Sequence, residues 1–444
     1  MANTFLTKTF ASDSNRKTWT WSAWIKRSKL GGTQTLMTQV DGWNGNGNAG
    51  FYIIGDQLTS YNFTSSLNSG TSSYNRPSMF LRDVNGWYHI VVRLDTTQST
   101  ASNRCRWYVN GEQLTDFAYA NYPSLNQDCN FNGGDPHGIG SHTAGANYFD
   151  GVMSYINFSD GYSYAPTVFG STDSTTGEWT INTNPTFTLG THGFTILKNG
   201  NTITDQSTNS NNWGLGGGTL TKTEDCPSNV FATWNPLQAT TAATYDFSAG
   251  NTRMAVNDTA VFSLGATLAA TTGKYYMEMK WVQQGGNGSW GMIPIDTNIN
   301  NRPRDAGVGW NQGDNAPHLL GSIVSGSWGG SIGTNDIIQL AMDLDNGAFY
   351  FGKNGTYLNS GNPTSGSSKT GAVNFSGTSL FGKQLTFAIG KGASGTDGWN
   401  ANFGNGYFEQ TAVSSAGTNA SNNGIFEYDV PTGYTALSTK GLNL

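Results

Sequence analysis

The five histidines, His89, His137, His142, His192 and His318, stand apart in the sequence, with no HExxH pair and no evident acid partner. Neither a zinc-hydrolase helix nor a base-to-nucleophile relay is spelled out. Ser289 in NGSWG and Ser327 in SGSWG approach the GxSxG nucleophile elbow, but each lacks the first Gly, and no helix is predicted after either serine to complete the strand-to-helix turn. Glu427-Tyr428-Asp429 begins the ExDxxE spacing that would set carboxylates on one strand face for glycoside hydrolysis, yet Thr432 replaces the second acid. Enzyme activity is therefore not expected, and no catalytic residue is assigned.

Binding motifs fare differently. Gly45-Asn46-Gly47-Asn48-Ala49-Gly50 satisfies GxGxxG, but FYIIGD follows it as a strand-like run, whereas a dinucleotide site needs a helix N-terminus there. Asp41, Asn44, Asn46 and Asn48 offer oxygen ligands with one carboxylate among neutral amides, a weak calcium site, so no metal and no cofactor is expected. Asp343 and Asp345 share a strand face just before an Asn-Gly turn and read as a solvated strand-end pair. Sequons such as Asn62-Phe63-Thr64 follow from Asn, Ser and Thr richness alone. Tryptophans in Gly/Asn-rich stretches are more suggestive: Trp43 in DGWNGN, Trp290 in GNGSWG, Trp328 in SGSWGG and Trp399 in GTDGWN. Loop aromatics present flat apolar faces to sugar rings, and amides such as Asn44 can bond hydroxyls. The bland alternative is that these rings plug sandwich ends or a subunit interface.

The elements that must carry these residues are strands. Aromatic residues make up 13% of the 444, charged residues only 12%, and Gly numbers 59, which together exclude a disordered chain and a long-helix protein. TWTWSAWIKR, WYHIVVRLD, CRWYVNG, GKYYMEMKW, DIIQLAMDLD and LTFAIGKG are short aromatic and β-branched runs between Asn/Gly/Asp/Ser clusters. With no helical period between them, they predict an all-β protein of two antiparallel, jelly-roll-type β-sandwich domains. The boundaries expected are a first sandwich over 1–165, a connector with short strands over 166–227, and a second sandwich over 228–444. Asn346-Gly347 and Asn354-Gly355 are read as type I′ hairpin turns. A net charge of −6 without a Lys/Arg cluster argues against nucleic acid. No run approaches the ~18 apolar residues of a membrane span, and MANTFLTKTFASDSNRKTWTW lacks a secretory h-region, so a soluble product of a cytoplasm is expected. The three cysteines, Cys105, Cys129 and Cys226, lack CxxC spacing; a Cys105–Cys129 pair is left open.

A family resemblance rests on specific wording. From about residue 16 to 161, TWTWSAWIKRS, NGWYHIVVRLDTTQSTASNRCRWYVNGEQLT, HGIGS and FDGVMSYINFSDG resemble a laminin-G-like, concanavalin-A-type domain. The DTTQ, NR and YVNGEQLT segments, with PTVFGSTDSTTGEW, THGFTILKNG and PSNVFATWNPL, resemble proteins of tailed phages of marine bacteria. From about 228 onward, Gly273-Lys274-Tyr275-Tyr276-Met277-Glu278, Gly307-Val308-Gly309-Trp310, IIQLAMDLDNGAFYFGKNG, Asn402-Phe403-Gly404 and PTGYTALSTKGL resemble a SPRY domain. The resemblance implies a non-enzymatic virion protein made in a bacterial cytoplasm, a tail-fibre or appendage component. Its expected partners are host-surface glycan, other virion proteins and further copies of itself, without nucleic acid or membrane insertion. The competing reading is a capsid decoration or fibre-anchoring protein that makes only protein contacts.

Overall fold

A computed structural model describes residues 3–40, 48–61, 75–143, 145–198, 200, 202–239, 244–258, 261–285, 287–392 and 395–443. The chain divides into two compact units, Met1–Lys222 and Thr223–Leu444. Both are antiparallel β-sandwiches, and the one α-helix among the described residues, Pro303–Ala306, is a single turn.

In the first unit, a sheet of eight strands runs in the order Phe117–Ala120, Asn75–Pro77, Gln57–Tyr61, Asn48–Ile54, Thr33–Val40, Pro136–Ile139, Phe5–Thr9, Gly214–Gly217. It faces a sheet of six: Phe194–Ile196, Gly151–Asp160, Thr18–Arg27, Trp87–Asp95, Cys105–Val109, Glu112–Gln113. Strand alternation builds the core between them. Trp19, Trp21, Ala23 and Ile25 point inward from one strand and Ile90, Val92 and Leu94 from the next, meeting Leu36, Phe51 and Ile53 of the opposite sheet. Each such large apolar side chain contributes roughly 1.5–3 kcal/mol by leaving water.

The stretch expected to be a connector is built into this first unit. Phe194–Ile196 pairs with Gly151–Asp160, and Gly214–Gly217 pairs with Phe5–Thr9, so each sheet takes one strand from it. The segment between folds over the outer face of the six-stranded sheet as the hairpin Gly170–Thr172/Trp179–Ile181. Phe169 packs there on Val91 and Tyr108, with Val168 and Phe187 beside them. This cover explains why the Thr18–Arg27 strand is buried on both faces.

The second unit stacks a nine-stranded sheet on a six-stranded one. Met277, Met279, Ile338, Leu340 and Phe349 of the first meet Trp290, Met292, Phe387 and Ile389 of the second. A smaller cluster lies on the far side of the larger sheet, where Phe426, Val430 and Tyr434 of the C-terminal segment cover Tyr276, Ala341 and Tyr350. Of the two expected I′ turns, Asn354-Gly355 has φ of +49° and +88° and closes Lys353 against Thr356. The other differs. Four residues separate the paired Asp343 and Ala348, and only Gly347 has positive φ (+68°). Asn346 instead donates its backbone N–H and its Nδ2 to Asp343 at 3.0 and 2.8 Å, an Asx-type turn that needs no left-handed Asn.

Candidate functional site

The structure places two of the loop-assigned tryptophans in strands and the third, Trp328, in a loop but buried. Trp290 lies in the strand Gly288–Pro294 and Trp399 in Gly395–Asn402, both 0% exposed, while Trp328 is 5% exposed. Trp290 leans on Trp281 with ring centroids 5.4 Å apart, and Trp399 meets the edge of Phe262. Trp328 stands edge-on to Phe351 and donates its indole N–H to the Val324 carbonyl at 3.0 Å. None of the three presents a ring face to a sugar. The misleading signal was glycine. Gly288 is required because a Cβ there would sit 2.9 Å from the Trp281 ring, and Gly291 because a Cβ would sit 2.0 Å from the Val308 carbonyl oxygen; these glycines admit close neighbours within a sheet and do not mark a loop. Trp43 and Asn44 lie outside the described residues, as do the Asn62 sequon and the first half of the GxGxxG stretch. The last glycine of that stretch, Gly50, sits in the strand Asn48–Ile54, where a Cβ would be 2.3 Å from the Met37 carbonyl oxygen.

The serines and carboxylates weighed for catalysis are dispersed through the second unit. Ser289 is buried, and Ser327 is exposed with its N–H given to Asn359 Oδ1 at 2.9 Å. Glu427 accepts from the N–H and hydroxyl of Ser414, and Asp429 from those of Thr418. Asp343, expected to be solvated, is fully buried and accepts the Lys274 ammonium at 3.0 Å. His318 does have an acid partner: its Nε2 lies 2.9 Å from Asp314 Oδ2 within an edge hairpin, with Arg304 also near that carboxylate. Cys105 and Cys129 are free thiols, both buried, and burial pushes Cys105 up to about 12, far from a reactive thiolate. Among the described residues, no group of three or more His, Cys, Asp or Glu gathers as a metal site.

Two buried polar centres stand out, of which the sequence pointed only to His89, as a packed or edge histidine of the strand WYHIVV. His89 is fully buried among aromatic rings, its ring 4.8 Å from Trp24 and 5.9 Å from Trp179. Burial alone pulls its pKa down to about 3. In the second unit, the Glu278 carboxylate is buried beneath the C-terminal segment. It accepts the backbone N–H groups of Glu427 and Tyr428 at 2.7 and 2.8 Å and the Tyr276 hydroxyl at 2.9 Å. Desolvation outweighs these donors and raises its pKa to about 7.

A surface constellation is carried by the outer face of the first unit's six-stranded sheet. Thr20, Arg93 and Arg106 stand side by side on three neighbouring strands, Thr20 opposite Arg93 and Arg93 opposite Arg106. The loop Tyr162-Ser163-Tyr164 crosses beside them. Thr20 donates its hydroxyl to the Tyr162 carbonyl and accepts the Tyr164 N–H. Arg93 donates Nε and Nη2 to the side chain and carbonyl of Ser163 at 2.8 and 3.0 Å. Tyr162 and Tyr164 stack with centroids 6.0 Å apart, and Tyr162 remains 45% exposed. The alternation in HIVVRLD and RCRWYV places both arginines outward, a signal that was available in the sequence.

Residues 3–163 match the Concanavalin A-like lectin/glucanases superfamily, short of half of the 444 residues. The chain is also similar to the SPRY domain of human HERC1, at 13% identity over 38% of this chain and 96% of that one, with a TM-score of 0.28. A second human SPRY domain is 14% identical over 35% and 92%, with a TM-score of 0.25. The heptameric SAP-like pentraxin of Limulus polyphemus is 16% identical over 37% and 72%, with a TM-score of 0.28. No curated protein matches the chain. The lectin-type match agrees with the sandwich of the first unit, a fold class that typically serves binding and interaction and not catalysis.

Proposed function

We propose that this chain is a non-enzymatic virion protein of a tailed phage, a tail-fibre or appendage component that attaches to host-surface glycan. The observation that supports it most is the lectin-type match over residues 3–163, on a sandwich whose outer sheet face carries an exposed tyrosine beside polar and cationic side chains. The phage-like wording of DTTQ, YVNGEQLT and PTVFGSTDSTTGEW supports the virion assignment. Trp43 and Asn44 remain part of the proposed glycan contact. Other virion proteins and further copies of the chain are the remaining proposed partners. Weak single sites multiplied over many copies would supply the avidity that adsorption needs.

The test is an array of bacterial surface polysaccharides probed with the purified full chain, together with the position of the protein in a virion reconstruction. Saccharide binding and a tail location are expected. A capsid-surface position with no saccharide bound would favour the decoration reading. That second reading has one structural point in its favour: the Phe117–Ala120 strand, which ends the eight-stranded sheet, carries no charge, whereas sheet edges are usually blunted with charge unless something pairs with them.

A further inference from the structure

We infer that the glycan this protein takes is acidic, and that Arg93 and Arg106 bind its anionic substituent while Tyr162 supports the sugar ring. The inference rests on the glycan-binding reading above and names the chemistry of that ligand.

The argument begins with a pairing that a sheet does not favour. Arg93 and Arg106 are directly opposite on adjacent antiparallel strands. The bonds from the Asp95 N–H to the Arg104 carbonyl and from the Asn110 N–H to the His89 carbonyl bracket them, so they occupy a hydrogen-bonded pair, with side chains on one face and Cβ atoms about 5 Å apart. Like charges so placed are destabilising unless a counter-charge intervenes. Among the described residues no carboxylate is in ion-pair range of either guanidinium. Arg93 is fixed through Nε and Nη2 on Ser163, which leaves Nη1 without an acceptor among the described residues. Among the described residues the Arg106 side chain has no hydrogen-bond partner, and its Nε is buried.

Arg93 Nη1 and the terminal nitrogens of Arg106 are the donors left over, and neighbouring guanidinium groups with unused donors are what planar or tetrahedral oxyanions take. The adjacent loop supplies the other half of a saccharide site. Tyr162 is stacked on Tyr164 and exposed on the surface, so it holds a ring face against a pyranose at little entropic cost. The chain as a whole is acidic, at net −6, so an unneutralised arginine pair is a local exception to its charge. A carboxylated sugar and a sulfated sugar would both satisfy this chemistry.

The test uses the full chain, its Arg106→Gln, Arg106→Lys and Tyr162→Ala variants, and three probes: a galacturonate tetrasaccharide, a sulfated heparin tetrasaccharide and neutral maltotetraose. Titration calorimetry should show at least one acidic probe binding more than tenfold tighter than maltotetraose, with affinity falling as salt rises. Arg106→Gln should weaken that binding at least tenfold, Arg106→Lys should restore only part of it, and Tyr162→Ala should weaken it several-fold. The melting temperature of Arg106→Gln should be unchanged or higher, which shows that the fold is intact. The two acidic probes tell the carboxylate source from the sulfate source. Equal binding of an acidic probe by wild type and Arg106→Gln overturns the inference. Binding of neutral but not acidic saccharides overturns it while leaving the glycan reading standing; binding of no saccharide on this panel or the wider array removes both.

Discussion

The indole N–H of Trp179 donates to Nδ1 of His89 at 2.9 Å, across 90 residues of sequence. Because that nitrogen accepts, the ring proton sits on Nε2 and is donated to the Ser22 hydroxyl, also 2.9 Å away. A neutral tautomer is thereby fixed, and the outer hairpin is tied to the sheet it covers. Replacing Trp179 with Phe keeps an aromatic ring at that position but orphans Nδ1. A loss of about 1–3 kcal/mol is expected in chemical denaturation of the first unit, the cost of an unsatisfied buried acceptor.

The same histidine makes the first unit acid-sensitive. Its pKa is about 3 in the fold against about 6.5 for a free histidine, so the unfolded chain binds the extra proton between those values. His137, also pulled to about 3 by burial, acts in the same direction. Stability is full above pH 6.5 and is lost as pH falls through 3, by roughly 5 kcal/mol for His89 at ~1.4 kcal/mol per pH unit. Melts from pH 7 to 4 should show this decline, and His89→Gln should make it shallower. An unchanged slope in that variant would mean that His89 is not the group responsible.

Glu278 reverses the sign in the second unit. Its carboxyl rises from 4.5 to about 7 on folding, so the folded state holds the proton more tightly than the unfolded one. The contribution is fully present below pH 4.5 and is lost as pH rises through 7, by roughly 3 kcal/mol. Glu278→Ala removes the acceptor for the Glu427 and Tyr428 amides. Hydrogen exchange at those two amides should then quicken well before the sheets open, with the pH dependence between 4.5 and 7 flattened.

How much of this was legible in the sequence depends on which physical rule each residue obeys. Strands such as TWTWSAWIKR and YHIVVRLD declare themselves because period-2 alternation is set by local backbone geometry. The Asn354-Gly355 turn is equally local. Trp290 and Trp399 misled because glycine beside an aromatic has two causes, a turn or a close neighbour, and only the three-dimensional contact of Gly288 with Trp281 separates them. The 166–222 stretch looked like a connector because its strands are three or four residues long, too short to show a period. His318 seemed partnerless because Asp314, four residues earlier, reaches it only once the hairpin has closed.

The buried tryptophans give a direct contrast with the surface site. Trp290→Ala and Trp399→Ala each empty a core position and should destabilise the second unit by about 3–5 kcal/mol. Scanning calorimetry should show one transition falling and the other unmoved, since both residues lie within Thr223–Leu444. A variant that kept its melting temperature would contradict the packing of that ring.

Gly355 tests the turn that was read correctly. Its φ of +88° is open to Gly and strained for any L side chain, and a Cβ there would lie 2.9 Å from the Tyr428 ring. Gly355→Ala therefore meets two penalties, backbone strain of about 1 kcal/mol and displacement of Tyr428, whose backbone N–H is one of the two given to Glu278. Asn354→Ala meets the strain and also loses the bonds that Asn354 makes to the Ile337 N–H and the Asp336 carboxylate. Denaturant melts of both variants should show losses of roughly 1–3 kcal/mol. Hydrogen exchange separates their causes: only Gly355→Ala should also speed exchange at the Tyr428 amide. Should both variants leave that amide equally protected, the turn and the C-terminal segment are not mechanically linked through Tyr428.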